Sequence, residues 1–467
     1  MTLLRHQAYG HQSEVKVCFW NVGGIFRKGE SKLDDDIFIS ELLHNDIILL
    51  AETHVGVDEN LYLPEFNYSN VCRSLSKNGR HFGGLGIFIR QTISSHVTVL
   101  PNTNRDYQWL KLDKSFFHFK KDLFICLVYF PPCRSAYTQN LDNDILQLLE
   151  NDINSYQPNA DVLLCGDFNA RTSNLNDFIC NDNGSYLPIY DDYRLDVNIQ
   201  QRYSRDSVID TRGRELIDTC IGNQLRFLNG RVLGDLFGNY TCYTPNGCSV
   251  VDYAIASDCM LNKILYFAVS PFLPTLSDCH CKLSLSILAD FDIDHSDETK
   301  QITHDMPTKF KWNDRSSDLF QSVLKGMENQ ERIKNFLNSA AADVDAAALD
   351  LNSIIIASAS KVLTRQNKFQ SKKRMVQTKS KKWFDKDLRS MRNKLMYYGR
   401  IYSLYPNDKA VHDKYYKLYR EYTKSRKKKA KQFKLDLLKK IEELHNSNPK
   451  SYWNLLSELR KPTLTTK

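Results

Sequence analysis

Residues Leu163 to Arg171 read LLCGDFNAR, an apolar run that ends in Gly166-Asp167-Phe168-Asn169. The pattern predicts a buried strand that delivers a carboxylate and an amide, two residues apart, to one side of its carboxyl end. By itself Asp167-x-Asn169 is more often a turn or a helix cap. Other strand ends decide its weight. Glu14 to Trp20 (EVKVCFW) alternates as a half-buried strand and runs into Asn21-Val22-Gly23-Gly24. Asp46 to Ala51 predicts a buried strand ending in Glu52-Thr53-His54, and Gly83 to Ile89 another. Strands follow over 109–112 and 123–129, the latter running into Phe130-Pro131-Pro132. Ser249 to Ile255 carries Asp252, and Leu276-Ser277-Asp278-Cys279-His280 turns into an alternating strand with Leu283, Leu285 and Ile287. Helices are predicted over 33–45, 138–153 and 206–222. Strands alternating with helices indicate a layered α/β domain.

Composition sets the frame. The chain has 467 residues, enough for two or three domains, and 42% are hydrophobic, enough for a packed core. Its 12 cysteines show no zinc-type pairing, and several sit in apolar runs, so free thiols in a reducing compartment are expected. No run approaches the roughly 18 apolar residues of a membrane-spanning helix. The amino terminus lacks the apolar core of a secretory signal, so an intracellular protein without a membrane partner is expected. The net charge of +8 is uneven: residues 1–290 carry about −9, 291–380 about +2 and 381–467 about +15. The expected organisation is a loose leader over 1–14, an α/β domain over 15–290, an acidic linker over 291–310 and an all-α basic region over 311–467. In the last, Val411, Tyr415, Tyr416, Tyr419 and Tyr422 fall at helical spacing and predict a core stripe. Arg426, Lys427, Lys428 and Lys429 lie in the dense run Lys424–Lys431, which suits phosphate contact, with RNA as an alternative to DNA, and reads as a nuclear-localisation pattern.

Six short motifs occur in a fixed order: Trp20-Asn21, Glu52-Thr53, Val128-Tyr129-Phe-Pro-Pro132, Gly166-Asp167-Phe-Asn169-Ala-Arg171, Val251-Asp252-Tyr253 and Ser277-Asp278-Cys-His280. Together they resemble the endonuclease/exonuclease/phosphatase superfamily. Within it they are most similar to the apurinic-type endonuclease domain of non-LTR (LINE-type) retrotransposons, over residues 15–290. A weaker likeness of 310–467 is to the helical linker that precedes reverse transcriptase in such polyproteins. The resemblance implies a four-layer α/β sandwich, two β-sheets between helices. It also implies nicking of DNA phosphodiesters with Mg²⁺, or Mn²⁺ as the alternative, to leave a 3′-hydroxyl that primes reverse transcription. An abasic-site repair endonuclease, a phosphatase of the same superfamily and an inactive nucleic-acid-binding remnant are the rival readings.

The chemistry needs a hard cation, an activated water and donors to the phosphate. The resemblance assigns Glu52 as principal metal ligand, with Asn21 and Asp278 beside it. It gives Asp167 the water, Asn169 and Tyr129 the phosphate or leaving group, and His280 a proton-transfer role oriented by Asp252. Arg171 and Thr241 are lesser candidates for substrate contact. One departure stands out. The family places Ser-Asp-His in a row, and this chain inserts Cys279. An extra residue in a strand turns side chains to the other face. His280 still precedes Leu283 by three, so His280 is expected to keep its register and a small bulge to displace Asp278.

Overall fold

A computed structural model describes residues 9–27, 30–56, 59–73, 81–101, 104–132, 135, 137–138, 144–180, 196, 200–294, 316–338, 344–362, 383–448, 451–453 and 455. The strands are β1 (Tyr9–Asn21), β2 (Phe26–Arg27), β3 (Glu30–Ser31), β4 (Ile47–Ala51), β5 (Phe66–Val71), β6 (Leu85–Arg90), β7 (Val97–Val99) and β8 (Tyr107–Leu112). They continue as β9 (Asp122–Tyr129), β10 (Ala160–Asp167), β11 (Leu225–Phe227), β12 (Cys242–Thr244), β13 (Gly247–Ser249), β14 (Asp252–Ser257), β15 (Ile264–Val269) and β16 (Leu283–Asp294). The helices are α1 (Asp36–Leu42), α2 (Lys114–Phe117), α3 (Ile145–Tyr156), α4 (Thr211–Gly222), α5 (Ser316–Leu324), α6 (Met327–Asn338), α7 (Val344–Val362), α8 (Lys386–Leu404) and α9 (Lys409–Ser447). Six of them, α1, α2, α3, α4, α8 and α9, begin behind an aspartate whose carboxylate accepts from the first-turn amides, the expected N-cap chemistry.

Two mixed sheets carry the domain, in the orders β15-β16-β1-β4-β6-β5 and β11-β14-β10-β9-β8-β7. Alternation along each central strand makes the layers. In β1, Val15, Val17 and Phe19 enter the core between the sheets, while Cys18 and Trp20 face α1. In β10, Leu163 and Cys165 enter that same inner core, while Val162 and Leu164 pack with residues of α3 and α4. The result is the four-layer α/β sandwich expected from the motifs.

Gly166 is placed by packing. It pairs with Val128 across β10 and β9, and a Cβ there would stand 2.2 Å from the Val128 carbonyl oxygen. Gly166→Ala is therefore expected to cost about 2–3 kcal/mol, since neighbouring backbone must move to admit it. Urea denaturation measures this, and a loss within error of zero would show that β9 yields freely.

The boundaries differ from the sequence expectation. Strand β1 starts at Tyr9, inside the stretch expected as a leader, and β16 runs to Asp294. Most of the expected linker lies outside the described residues. The compact units are 1–295 together with 378–467, and 296–377. In the second unit, within the region expected to be all-α, α6 and α7 are in contact with each other and both also with α5. In the first unit, α8 and α9 pack on the sandwich. Leu388, Leu395, Tyr402, Tyr415 and Tyr422 are buried in one cluster with Tyr243, Phe272 and Cys281. Arg392 of α8 donates to both oxygens of Asp35 at 2.7 and 2.8 Å, and the Phe272 amide donates to Ser403 Oγ at 3.0 Å. The tyrosine stripe is core because the sandwich offers it an apolar face. Among the described residues, no helix is long and apolar enough to cross a membrane.

Candidate active site

Strand parity aims the site. Asn21, Tyr129, Asp167 and Asp252 share the parity of the residues that fill the inner core, so each points between the two sheets at their open end. Three of them are neighbours in register: Asp167 pairs with Tyr129 on one side and Asp252 on the other. Strand β4, parallel to β1, sets Ala51 opposite Asn21 and so brings Glu52 to the same mouth.

A hydrogen-bonded chain joins these groups. Asn21 Nδ2 donates to Glu52 Oε1 and to Asp167 Oδ2, both at 2.9 Å. Asn21 Oδ1 accepts from the Gly23 amide at 3.1 Å, which fixes the flip of the carboxamide. On the far side, His280 Nδ1 lies 2.9 and 3.0 Å from the two Asp252 oxygens, and His280 Nε2 lies 3.7 Å from Asp167 Oδ2. Asp167, Asp252 and His280 are all buried.

The charges are set by these contacts. Burial would raise the Glu52 carboxyl, but hydrogen bonds from His54 and Asn21 overcome it and hold it at about 2. Burial pushes Asp167 up to about 8, against the pull of His280 and with the push of Asp252 and Glu52. Burial opposes charge on His280, yet Asp252 and Asp167 raise the imidazole well above its usual value. Burial raises the Tyr129 phenol, and Glu52 and Asp167 raise it further, so it stays a donor.

Turn chemistry delivers the rest. Glu52 and Asn169 sit in the left-handed region at φ 50° and 46°, a strain of order 1 kcal/mol for such residues. Asp167 Oδ1 accepts from the Asn169 amide at 3.0 Å, so the turn reading of this pair holds alongside its place in the site. Asn169 Nδ2 spends one proton on the Phe130 carbonyl at 2.7 Å. The Cys279 insertion is absorbed in the turn before β16. Ser277 Oγ donates to the Asn21 carbonyl at 3.0 Å and accepts from the His280 amide at 3.1 Å, while Trp20 Nε1 donates to the His280 carbonyl at 3.1 Å. His280 thus stays at the site, and Asp278 is exposed, with an oxygen 3.7 Å from where a Cβ of Gly23 would stand.

Three sequence candidates have other work. Thr241 is fully buried, and its hydroxyl accepts from the Val251 and Asp252 amides at 3.1 and 3.0 Å, so it anchors the start of β14 instead of facing solvent. Arg171 makes a two-pronged ion pair with the buried Asp206 at 2.5 and 2.8 Å. Asp206 also accepts from the Val208 and Val250 amides, so Arg171 holds a loop together. Lys429 pairs with Asp385 and Asp387 across α8 and α9. Lys427 and Lys428 are exposed on α9 and Arg426 is half-buried.

Sequence reasoning left out three residues. His54, quoted only in the run behind β4, places Nε2 3.4 Å from Glu52 Oε2, and the i, i+2 spacing behind a strand end was the available signal. Ser277 was quoted only as part of a motif. Cys242 carried no signal at all, because its neighbours are 37 residues downstream.

The family pattern described as the Endonuclease/Exonuclease/phosphatase family matches residues 18–278. The chain belongs to this family. Enzymes of the endonuclease/exonuclease/phosphatase family are typically metal-dependent hydrolases of phosphodiester bonds. The domain is similar to the endonuclease domain of TRAS1, a telomere-specific non-LTR retrotransposon, at 14% identity and a TM-score of 0.37, covering 59% of this chain and 98% of that one. It is similar to the AP endonuclease LMAP from Leishmania major at 15% identity and a TM-score of 0.42, covering 59% and 88%. It is also similar to the 3′-5′ exonuclease NExo from Neisseria meningitidis at 14% identity and a TM-score of 0.38, covering 58% and 99%. A comparison with curated protein sequences gave no match.

Proposed function

We propose that the chain is a divalent-metal-dependent DNA endonuclease that nicks a phosphodiester and leaves a 3′-hydroxyl, in the manner of retroelement endonucleases. The observation that supports this best is the continuous run Glu52–Asn21–Asp167, closed by the His280–Asp252 pair, at the mouth between the sheets. A hard cation fits Glu52, an ionised and partly open carboxylate with a neutral carboxamide beside it. Bound there, Mg²⁺ or Mn²⁺ supplies charge neutralisation at the phosphoryl oxygens. Asp167, raised toward neutral pH, is suited to take the proton of the attacking water. His280, doubly protonated against Asp252, donates to a phosphoryl oxygen. Tyr129 donates to the same group, and the second amide proton of Asn169 is left for the phosphate. Asp278 sits at the rim and is the weaker ligand of the set.

The experiment uses the full chain, because α8 and α9 cover part of the sandwich. Supercoiled plasmid is incubated with Mg²⁺ or with EDTA, beside Glu52→Ala. Open circles are expected with Mg²⁺ only, with nicking down at least ~10²-fold in the variant, and with ends that a DNA polymerase extends without treatment. An inert parent favours a non-catalytic remnant, and cutting confined to abasic duplexes favours a repair enzyme.

Lys427 and Lys428 on α9 are the exposed cations proposed to meet phosphate, since the sandwich itself is acidic. Lys427→Glu with Lys428→Glu is expected to weaken duplex binding about uniformly across sequences and to lower the salt slope by roughly 1 to 2. Filter binding over a salt series measures it, and an unchanged slope removes α9 from the interface.

A further inference from the structure

The residue that breaks the family pattern has a partner. Cys279 faces Cys242, the two thiols share a hydrogen bond, and Cys279 also bonds the His280 side chain. One sulfur from each cysteine and one ring nitrogen of His280 all lie within 4.8 Å of one another. The backbone holds them there: Cys242 bridges His280, and the Tyr243 amide donates to the Cys279 carbonyl at 2.8 Å. Both cysteines are free. Tyr416 of α9 stands within electrostatic range of both sulfurs, and the apolar cluster of α8 and α9 walls the neighbouring Tyr243 and Cys281.

We propose that Cys242, Cys279 and His280 form a site for a thiophilic divalent cation of the Zn²⁺ class, separate from the oxygen-ligand site at Glu52. Two sulfurs and an imidazole nitrogen are soft to borderline donors, the set that selects Zn²⁺ over Mg²⁺. Tetrahedral coordination with Zn–S bonds of about 2.3 Å puts ligand atoms roughly 3.5–3.8 Å apart. From at most 4.8 Å apart, the three ligands therefore need to draw in by about 1.3 Å at most, and water completes the fourth position. Binding expels the thiol protons and one proton of the His280 imidazolium to solvent and involves no change of oxidation state. Because His280 is shared, an occupied site withdraws the imidazole from Asp167 and the scissile phosphate. On the reading given under Proposed function, Zn²⁺ then stops hydrolysis while Mg²⁺ remains bound.

The test has two readouts. Reduced full-length protein in excess Mg²⁺ is titrated with Co²⁺ as the spectroscopic stand-in for Zn²⁺. One equivalent is expected to give thiolate-to-cobalt charge-transfer absorption in the near ultraviolet, and Zn²⁺ is expected to bleach it. Cys279→Ser and Cys279→Ala are expected to lose that absorption while keeping the wild-type circular dichroism and melting temperature, since Cys279 is half-exposed. In the nicking assay, one equivalent of Zn²⁺ over protein is expected to lower the wild-type rate at least ten-fold, reversibly by chelator. Cys279→Ser is expected to lose this inhibition, its rate with Zn²⁺ matching its own rate with chelator. No charge-transfer band in the wild type, or a band of equal strength in both variants, overturns the site. A band without inhibition overturns the shared role of His280. If the parent does not nick at all, the absorption titration still decides the site by itself.

Discussion

Replacing Asp167 by Asn is expected to lower metal-dependent nicking by about 10²–10⁴-fold and, at the same time, to stabilise the fold. The side chain is fully buried, accepts hydrogen bonds from Asn21 Nδ2 and the Asn169 amide, and faces Asp252 and Glu52. An amide keeps the shape and removes a charge that the surroundings resist. The sign follows from linkage. Unfolded, the carboxyl releases its proton near pH 4, whereas folded it holds it to about 8. Between those values the native state binds the extra proton, so stability falls as pH rises through the window and levels off above it. His280, raised by the same neighbours, adds a fall of the same sign as pH climbs from its ordinary value toward its folded one. Urea denaturation in EDTA at pH 5 and at pH 8.5 should show the Asn variant gaining more at the higher pH. An equal gain at both would refute the electrostatic account. Retained nicking would remove Asp167 from the chemistry.

His280→Ala is expected to cost a further loss of about 10²–10⁴-fold, and Asp252→Asn to cost much of the same amount without touching substrate. The imidazole Nδ1 reaches both Asp252 oxygens, so Asp252 fixes the ring and favours its charged form. Groups that act as a unit are not additive. The double variant should therefore be no slower than His280→Ala alone. The pH profile separates positioning from mere packing. With Asp252 neutral, imidazolium is lost at lower pH, and the alkaline limb of the rate should move down. An unmoved limb, or fully additive losses, would mean that the pair does not operate as one group.

The Asp252–His280 pair also shows how far the sequence reaches. Both residues were legible as strand-end polar groups, and the spacing from His280 to Leu283 was enough to keep its register across Cys279. That inference rests on period-two alternation, a local rule, and local rules carried the strand ends at Asn21, Tyr129 and Asp167 as well. Glu52 was equally readable, since a carboxylate behind five buried residues has to be exposed or engaged. Thr241, Arg171 and Lys429 went the other way. Each is a polar residue whose partner is distant in sequence: Asp252 and Val251 amides, Asp206, and the Asp385–Asp387 pair. No spacing rule announces a partner 35 or 44 residues off.

Domain limits failed for the same reason. The tyrosine stripe of α9 was visible as an apolar face, but its cover, Phe272 and Tyr243 with α8, belongs to the sandwich. A change from strand to helical periodicity at about residue 310 marks a change in local structure, and packing decides which pieces share a core.

By itself, then, the sequence determined the layers of the sandwich, the order of the strand ends and the set of residues that meet between the sheets. The strand ends follow from side-chain alternation and the intolerance of apolar strands for unpaired charge, and the layers and the site set are what the resemblance of the six motifs implies. The tertiary structure alone decided that Asp167 sits in register between Tyr129 and Asp252, that His54 touches Glu52, that α8 and α9 belong to the same unit as the sandwich, and that the inserted Cys279 meets Cys242. Those are contacts between strands and turns remote in sequence, and register and proximity across such distances are set by how whole sheets pack.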